Sequence, residues 1–236
     1  MMTDSIDSTT LLTIRTLTVK IQPASPDPRI LLSTAAIIKK GGVVACPTET
    51  FYGFSADPFN AEAAARLQEL KARSVPRPMI LLLSHAESAY DVAYLSGVTK
   101  TWYEILSRSF WPGPLTLVLP LKPRVNCPAL AGRSTVAVRV SPHPVASAVV
   151  RTVGRPITST SANLEGDAPV RSAAEIDPRL AHRLGLILDA GPTPGGPPST
   201  ILDLASPRPT LLRQGAVPAE AIRAVLGFAP KERSAA

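Results

Sequence analysis

The run D-P-R-I-L-L-S-T-A-A-I-I-K-K-G-G-V-V-A-C, Asp27 to Cys46, sets a helical pattern directly before a strand-like one. Asp27 offers a capping carboxylate, Pro28 suits a first helical turn, and Gly41 stands where the helix should stop. The apolar, β-branched G-V-V-A-C beyond it predicts a short strand buried on both faces. A helix feeding straight into a buried strand is the unit of an α/β fold.

The rest of the chain repeats that alternation. Asn60 can cap A-E-A-A-A-R-L-Q-E-L-K, whose Ala64, Leu67 and Leu70 share one face, with the helix ending near Lys71. M-I-L-L-L reads as a strand, Ser84 and Glu87 as a capping box for a further helix, and T-W-Y-E-I-L-S-R-S as a helix stopped by W-P-G-P. Short strands are expected at L-T-L-V-L, T-V-A-V-R-V, P-I-T-S-T, L-G-L-I-L-D, T-I-L-D-L and T-L-L-R, and helices at 144–153, 172–183 and 218–226. Strands that follow one another closely imply a twisted mixed sheet covered by helices. Residues 1–20 read as a loose segment leading into an edge strand, 21–228 as one catalytic domain, and 229–236 as a loose tail.

With 236 residues, 45% of them hydrophobic, the chain can bury a substantial core. Lys plus Arg exceed Asp plus Glu by 25 − 18 = +7, which favours an anionic partner. The basic residues are scattered, so a concave anion site and a broad nucleic-acid surface both remain open. Cys46 and Cys127 lie too far apart in sequence to suggest a zinc site or a disulfide framework. The absence of a long apolar run or a leader pattern leads us to expect a cytoplasmic protein.

Neither G-x-x-x-x-G-K-[ST] nor G-x-G-x-x-G occurs, so an anion site must be built from other parts. Loops beyond strand ends in an open α/β sheet converge on a crevice, which directs attention to the polar clusters there. They are P-T-E-T-F-Y-G from Pro47, K-A-R-S-V-P-R-P from Lys71, T-V-A-V-R-V from Thr135, S-T-S-A-N from Ser159, and P-P-S-T with L-L-R-Q-G near the end. By residue chemistry alone, Lys71 and Arg73 are either a phosphate clamp or cations at a helix end. S-T-S-A-N is either a donor set or a turn, and Arg139, between Val138 and Val140, needs either a ligand anion or a structural carboxylate. Likewise P-T-E-T is either a crevice loop, with Gly53 supplying a tight turn, or a helix-capping loop.

Taken with W-P-G-P-L-T, these clusters in this order resemble the YrdC-like family of threonylcarbamoyl-AMP synthases over Pro28 to Val217, in a short form without the extra C-terminal domain. The resemblance implies a sheet with a central positively charged cavity. It also implies an enzyme that joins threonine, bicarbonate and ATP, with Mg2+, into threonylcarbamoyl-AMP and pyrophosphate for tRNA modification by a transferase complex. It assigns catalysis to Lys71, Arg73, Ser161 and Asn163. ATP contacts fall on these four and on Thr135 and Arg213, with Arg77 a substitute phosphate contact where the family differs, and threonine contacts on Thr50, Tyr52, Arg139, Ser159 and Ser199. Thr48 stands beside that set, and Glu49 is a candidate for metal or proton work. Three positions depart from the family pattern: Arg77 replaces an asparagine, Leu82 a histidine and Pro169 a serine. Two other readings compete: a tRNA- or double-stranded-RNA-binding paralogue, and the carbamoyl-handling domain of hydrogenase maturation proteins.

Overall fold

The computed structural model describes residues 16–72 and 74–232. Arg73, residues 1–15 of the N-terminal segment and residues 233–236 of the expected loose tail therefore lie outside the described residues. In chain order the first half runs β1 (Thr18–Lys20), α1 (Pro28–Lys39), β2 (Val44–Pro47), β3 (Tyr52–Ser55), α2 (Ala61–Leu70), β4 (Ile80–Leu82), α3 (Ala89–Val92), α4 (Gly97–Phe110) and β5 (Leu115–Pro120). The second half runs β6 (Thr135–Arg139), α5 (Pro144–Val153), β7 (Ile157–Ser161), α6 (Pro178–Ala181), β8 (Leu186–Asp189), β9 (Thr200–Asp203), β10 (Thr210–Arg213), α7 (Ala219–Leu226) and β11 (Lys231–Glu232).

The helix starts follow from side-chain chemistry. Asp27 accepts from the Arg29 amide and precedes Pro28, and Asn60 accepts from the Ala63 amide, so each satisfies one of the donors that a helix N-terminus leaves free. Gly41, in the left-handed region at φ 81°, turns the chain from α1 into β2. Other expectations fail for local reasons. The Ser84 hydroxyl bonds His85 and Ser88 rather than a helix N-terminal amide, so no capping box forms there. The helix expected at 172–183 shrinks to a 3-10 turn and the four-residue α6, because Asp177 and Pro178 start a new element in its middle. Y-G-F-S, read as part of a loop, is the buried strand β3. Gly53 accordingly sits within a strand and does not make the tight turn expected of it. In the tail, Lys231 and Glu232 pair with β10.

The strands join in the order β1-β8-β2-β3-β7-β4-β6-β5-β9-β10-β11, mixing parallel and antiparallel neighbours. Side chains alternate between the two faces of this sheet. One face carries the larger core, in which Phe54, Leu81, Leu117, Val138 and Leu202 meet Leu67 and Leu70 of α2 and Leu106 of α4. The other face carries Val44, Cys46, Leu82, Ile157 and Leu188 beneath α1 and α5. These two helices cover only part of it. Cross-strand pairing places Ile80, Ala137 and Ser159 on that same second face, and likewise Gly53 with Ser161. That remainder is where the cavity opens.

Candidate functional site

The cavity has a volume of about 880 Å³, in the upper part of the roughly 300–1,000 Å³ range of ligand pockets. Its walls bring together Thr48, Thr50, Tyr52, Arg77, Arg139, Ser159, Ser161, Ser199 and Arg213 from segments spread over the whole chain. Arg133, Phe51 and Thr160 also contribute, with Met79, Ile80, Ile201 and Leu212 as an apolar surface. Gly53 lines it too, and a Cβ there would press to 3.1 Å from the Thr160 carbonyl oxygen and 3.3 Å from Ser159 Oγ. The missing side chain keeps β3 close against β7 and leaves the floor low.

At the C-terminal end of β6, Arg139 is buried, with 4% of its surface exposed. Its Nη1 donates to Glu49, whose other oxygen accepts from the Ser141 hydroxyl. Burial lowers the Arg139 pKa and the Glu49 carboxylate opposes that shift. Even so, Arg139 Nε is buried without a hydrogen-bond partner among the described residues. Such a donor is costly to leave unpaired. The β4–β6 register sets Leu82 directly beside Arg139, on the helix-covered part of the face, so at this departure from the family pattern an apolar residue neighbours the arginine on the sheet.

Nearby, Arg213 donates to the Ser199 carbonyl through Nη2 at 2.8 Å and to the Ser199 hydroxyl at 3.1 Å. Its pKa is lowered first by burial and then by the charge of Arg139. Ser199 also accepts from the Thr116 hydroxyl at 2.9 Å. Gly215 allows this packing, since a Cβ there would fall 2.2 Å from the Pro198 carbonyl oxygen and 2.6 Å from the Ser199 carbonyl carbon. Gly215→Ala is therefore expected to cost about 1–3 kcal/mol in denaturant unfolding, as overpacking does; an unchanged midpoint would refute the close approach.

The P-T-E-T turn is held from within. Thr48 Oγ1 donates to the Phe51 carbonyl at 2.7 Å and lies 3.2 Å from Thr50 Oγ1, while Thr193 fixes the Thr50 carbonyl at 3.0 Å. The Tyr52 hydroxyl donates to the Gly191 carbonyl at 2.7 Å and accepts from the Ala190 amide at 3.1 Å, so it ties this turn to the end of β8. Burial pushes its pKa up to about 12.

Lys71 and Asn163 do not line the cavity; they lie under its wall. Lys71 Nζ donates to the Ser161 carbonyl and to Asn163 Oδ1, both at 2.8 Å, and also to the Asn163 carbonyl. This buried ammonium pins the S-A-N loop and so fixes Ser161, which does face the cavity. Thr135 begins β6 and is not among the lining residues. Arg77 forms a 2.7 Å ion pair with Glu165 at the rim, where Pro169 also stands. Arg133 was not anticipated, although the period of two that includes Arg139 also reaches position 133.

The fold and site define an α/β protein with a cavity on its central sheet, lined by arginines and hydroxyls and suited to an anionic ligand. The chain belongs to the Sua5/YciO/YrdC family, described as telomere recombination, whose profile matches residues 36–215. It is 40% identical over 202 residues to a threonylcarbamoyl-AMP synthase of Bacillus subtilis (strain 168), covering 85% of this chain and 57% of that protein. A threonylcarbamoyl-AMP synthase of Halorhodospira halophila (strain DSM 244 / SL1) is 44% identical over 166 residues, covering 70% of this chain and 85% of that protein. The crystal structure of P. abyssi Sua5 complexed with L-threonine is similar with a TM-score of 0.83 at 33% identity, covering 92% of this chain and 63% of that one. The chain thus spans little more than half the length of the Bacillus relative.

Proposed function

We propose that the chain is an L-threonylcarbamoyladenylate synthase, converting threonine, bicarbonate and ATP into threonylcarbamoyl-AMP, pyrophosphate and water. The similarity to synthases of that name supports this reading. The observation that carries it is the buried Arg139 guanidinium on the cavity, with a donor unspent and the hydroxyls of Thr50, Ser159 and Ser199 on the same walls. An amino-acid carboxylate can pair with the guanidinium where it meets the cavity, and the hydroxyls supply partners for the substrate's own hydroxyl.

In this proposal the threonine carboxylate sits at Arg139, and its amine takes up the carbon of bicarbonate with loss of water to form a carbamate. A carbamate oxygen then attacks the α-phosphorus of ATP, the bond to the bridging oxygen breaks, and pyrophosphate leaves. Positioning and charge stabilisation do most of this work. Arg213 and Arg77, with Ser161, meet the nucleotide phosphates. Lys71 and Asn163 act through the loop that carries Ser161. We assign Arg73 the phosphate contact that the family resemblance gives it, and Thr135 a supporting place behind the nucleotide.

Among the described residues no group of three or more His, Cys, Asp or Glu could hold a metal ion by itself. Magnesium does not require such a group, since it is commonly held through substrate phosphates and water with one or two carboxylates. Glu49 and Glu165 are the carboxylates at hand, each already paired with an arginine. Magnesium, when bound, neutralises charge on the departing pyrophosphate. In this reading the product goes to a tRNA-modifying transferase complex, and we assign the reaction to the cytoplasm.

The test is pyrophosphate release from ATP, bicarbonate and Mg2+ with threonine, serine or valine. A pocket that pairs with the substrate hydroxyl can reject an analogue lacking it by roughly 10⁴-fold, whereas a lost methyl costs only about 1–3 kcal/mol. Release is therefore expected to be strong with threonine, weak with serine and absent with valine. Equal rates with all three would overturn the pocket. Salt-sensitive tRNA binding without threonine-dependent release would make the chain an RNA-binding paralogue instead.

A further inference from the structure

Among the described residues four arginines reach the cavity, and their partners sort them. Arg139 is paired with Glu49, Arg77 with Glu165, and Arg213 donates to the Ser199 carbonyl and hydroxyl. The exposed Arg133 side chain has neither an ion pair nor a hydrogen bond among the described residues.

Strand register places this uncommitted cation. β4 and β6 run parallel with Ile80 opposite Ala137, so Arg77, just before β4, and Arg133, just before β6, lie toward the same end of the cavity. Arg139 marks the other end. From Thr135 to Arg139 the strand covers about 13 Å at roughly 3.3 Å per residue, and Arg133 lies beyond that span. Two cationic ends so far apart suit a long ligand whose anionic groups are separated, with the apolar Ile80 between them.

We infer that Arg133 is a binding residue for the polyphosphate of the nucleotide, at the end of the cavity remote from the amino-acid carboxylate. This rests on the synthase reading for the identity of the anion. Arg133 breaks no internal bond to reach a phosphate. Its planar fork matches two phosphate oxygens, and its exposure keeps the free state solvated.

The experiment measures binding to the full chain by calorimetry, with inorganic tripolyphosphate, ATP, AMP and threonine as separate probes, for the unsubstituted protein, Arg133→Ala and Arg133→Lys. Arg133→Ala is expected to weaken tripolyphosphate and ATP about tenfold or more, since hydrogen bonds to charged groups are the strong ones. It should leave AMP and threonine within about twofold, and Arg133→Lys should recover part of the loss because it keeps the charge without the fork. Unchanged tripolyphosphate binding in Arg133→Ala overturns the inference. So does an equal weakening of all four probes, or no tripolyphosphate binding by the unsubstituted chain. Tripolyphosphate capture through Arg133 without threonine-dependent turnover would sink the synthase reading alone. Turnover with an unaltered ATP requirement in Arg133→Ala would sink this inference alone.

Discussion

Arg139→Ala should raise the threonine concentration needed for half-maximal pyrophosphate release by about 10²-fold or more, and leave the ATP requirement within a few-fold. Truncating one member of a buried, hydrogen-bonded charge pair costs about 2–5 kcal/mol, and part of that cost is the carboxylate left behind. Here the carboxylate is Glu49, held by Arg139 and Ser141. The single change therefore mixes lost substrate binding with lost stability. Arg139→Ala combined with Glu49→Ala separates them, because removing both charges takes away the unpaired carboxylate. The double variant should regain much of the melting temperature and none of the threonine affinity. If threonine dependence stays unchanged in Arg139→Ala, the carboxylate binds elsewhere.

A second large effect is expected at Lys71, and of a different kind. Its ammonium serves two carbonyls and an amide oxygen of the Ser161–Asn163 loop from a buried position. Lys71→Met keeps the stem and removes the donors, leaving acceptors unpaired at a cost of about 1–3 kcal/mol each. A total near 3 kcal/mol would lower Tm by roughly 6–12 °C in a chain of this size. Turnover should fall with it, because Ser161 loses its anchor. Lost turnover at an unaltered Tm would mean that Lys71 leaves the loop and works on phosphate directly.

Much of the architecture could be read locally because its signals are local. Asp27, Asn60 and Gly41 end or begin helices through their own backbone neighbours, and the apolar runs around Val44, Leu117 and Val138 announce buried strands. β3 escaped because Gly53 interrupts Y-G-F-S, and its strand character comes from pairing with β2 and β7 on either side. The 172–183 helix was drawn through Asp177 and Pro178, a start signal that should have divided it. Of the site, Arg139 was legible from alternation, and the cavity does gather it with Ser159, Ser199 and Arg213. The burial of Lys71 beneath Asn163 was not legible, since it depends on a contact across 92 positions. Arg133 went unnoticed because it precedes the strand, and the period of two that reaches it from Arg139 does not by itself show that it lines a cavity.

Central strands, more than loops, make the floor of this cavity, and Gly53 keeps that floor flat against its neighbour. The distance between the two cationic ends is thereby tied to ladder spacing, which the molecule cannot alter without ceasing to fold. Divergence toward a new substrate must then proceed around the margin, where Arg77 and Pro169 stand on irregular backbone outside the named strands. The base plate would be inherited unaltered.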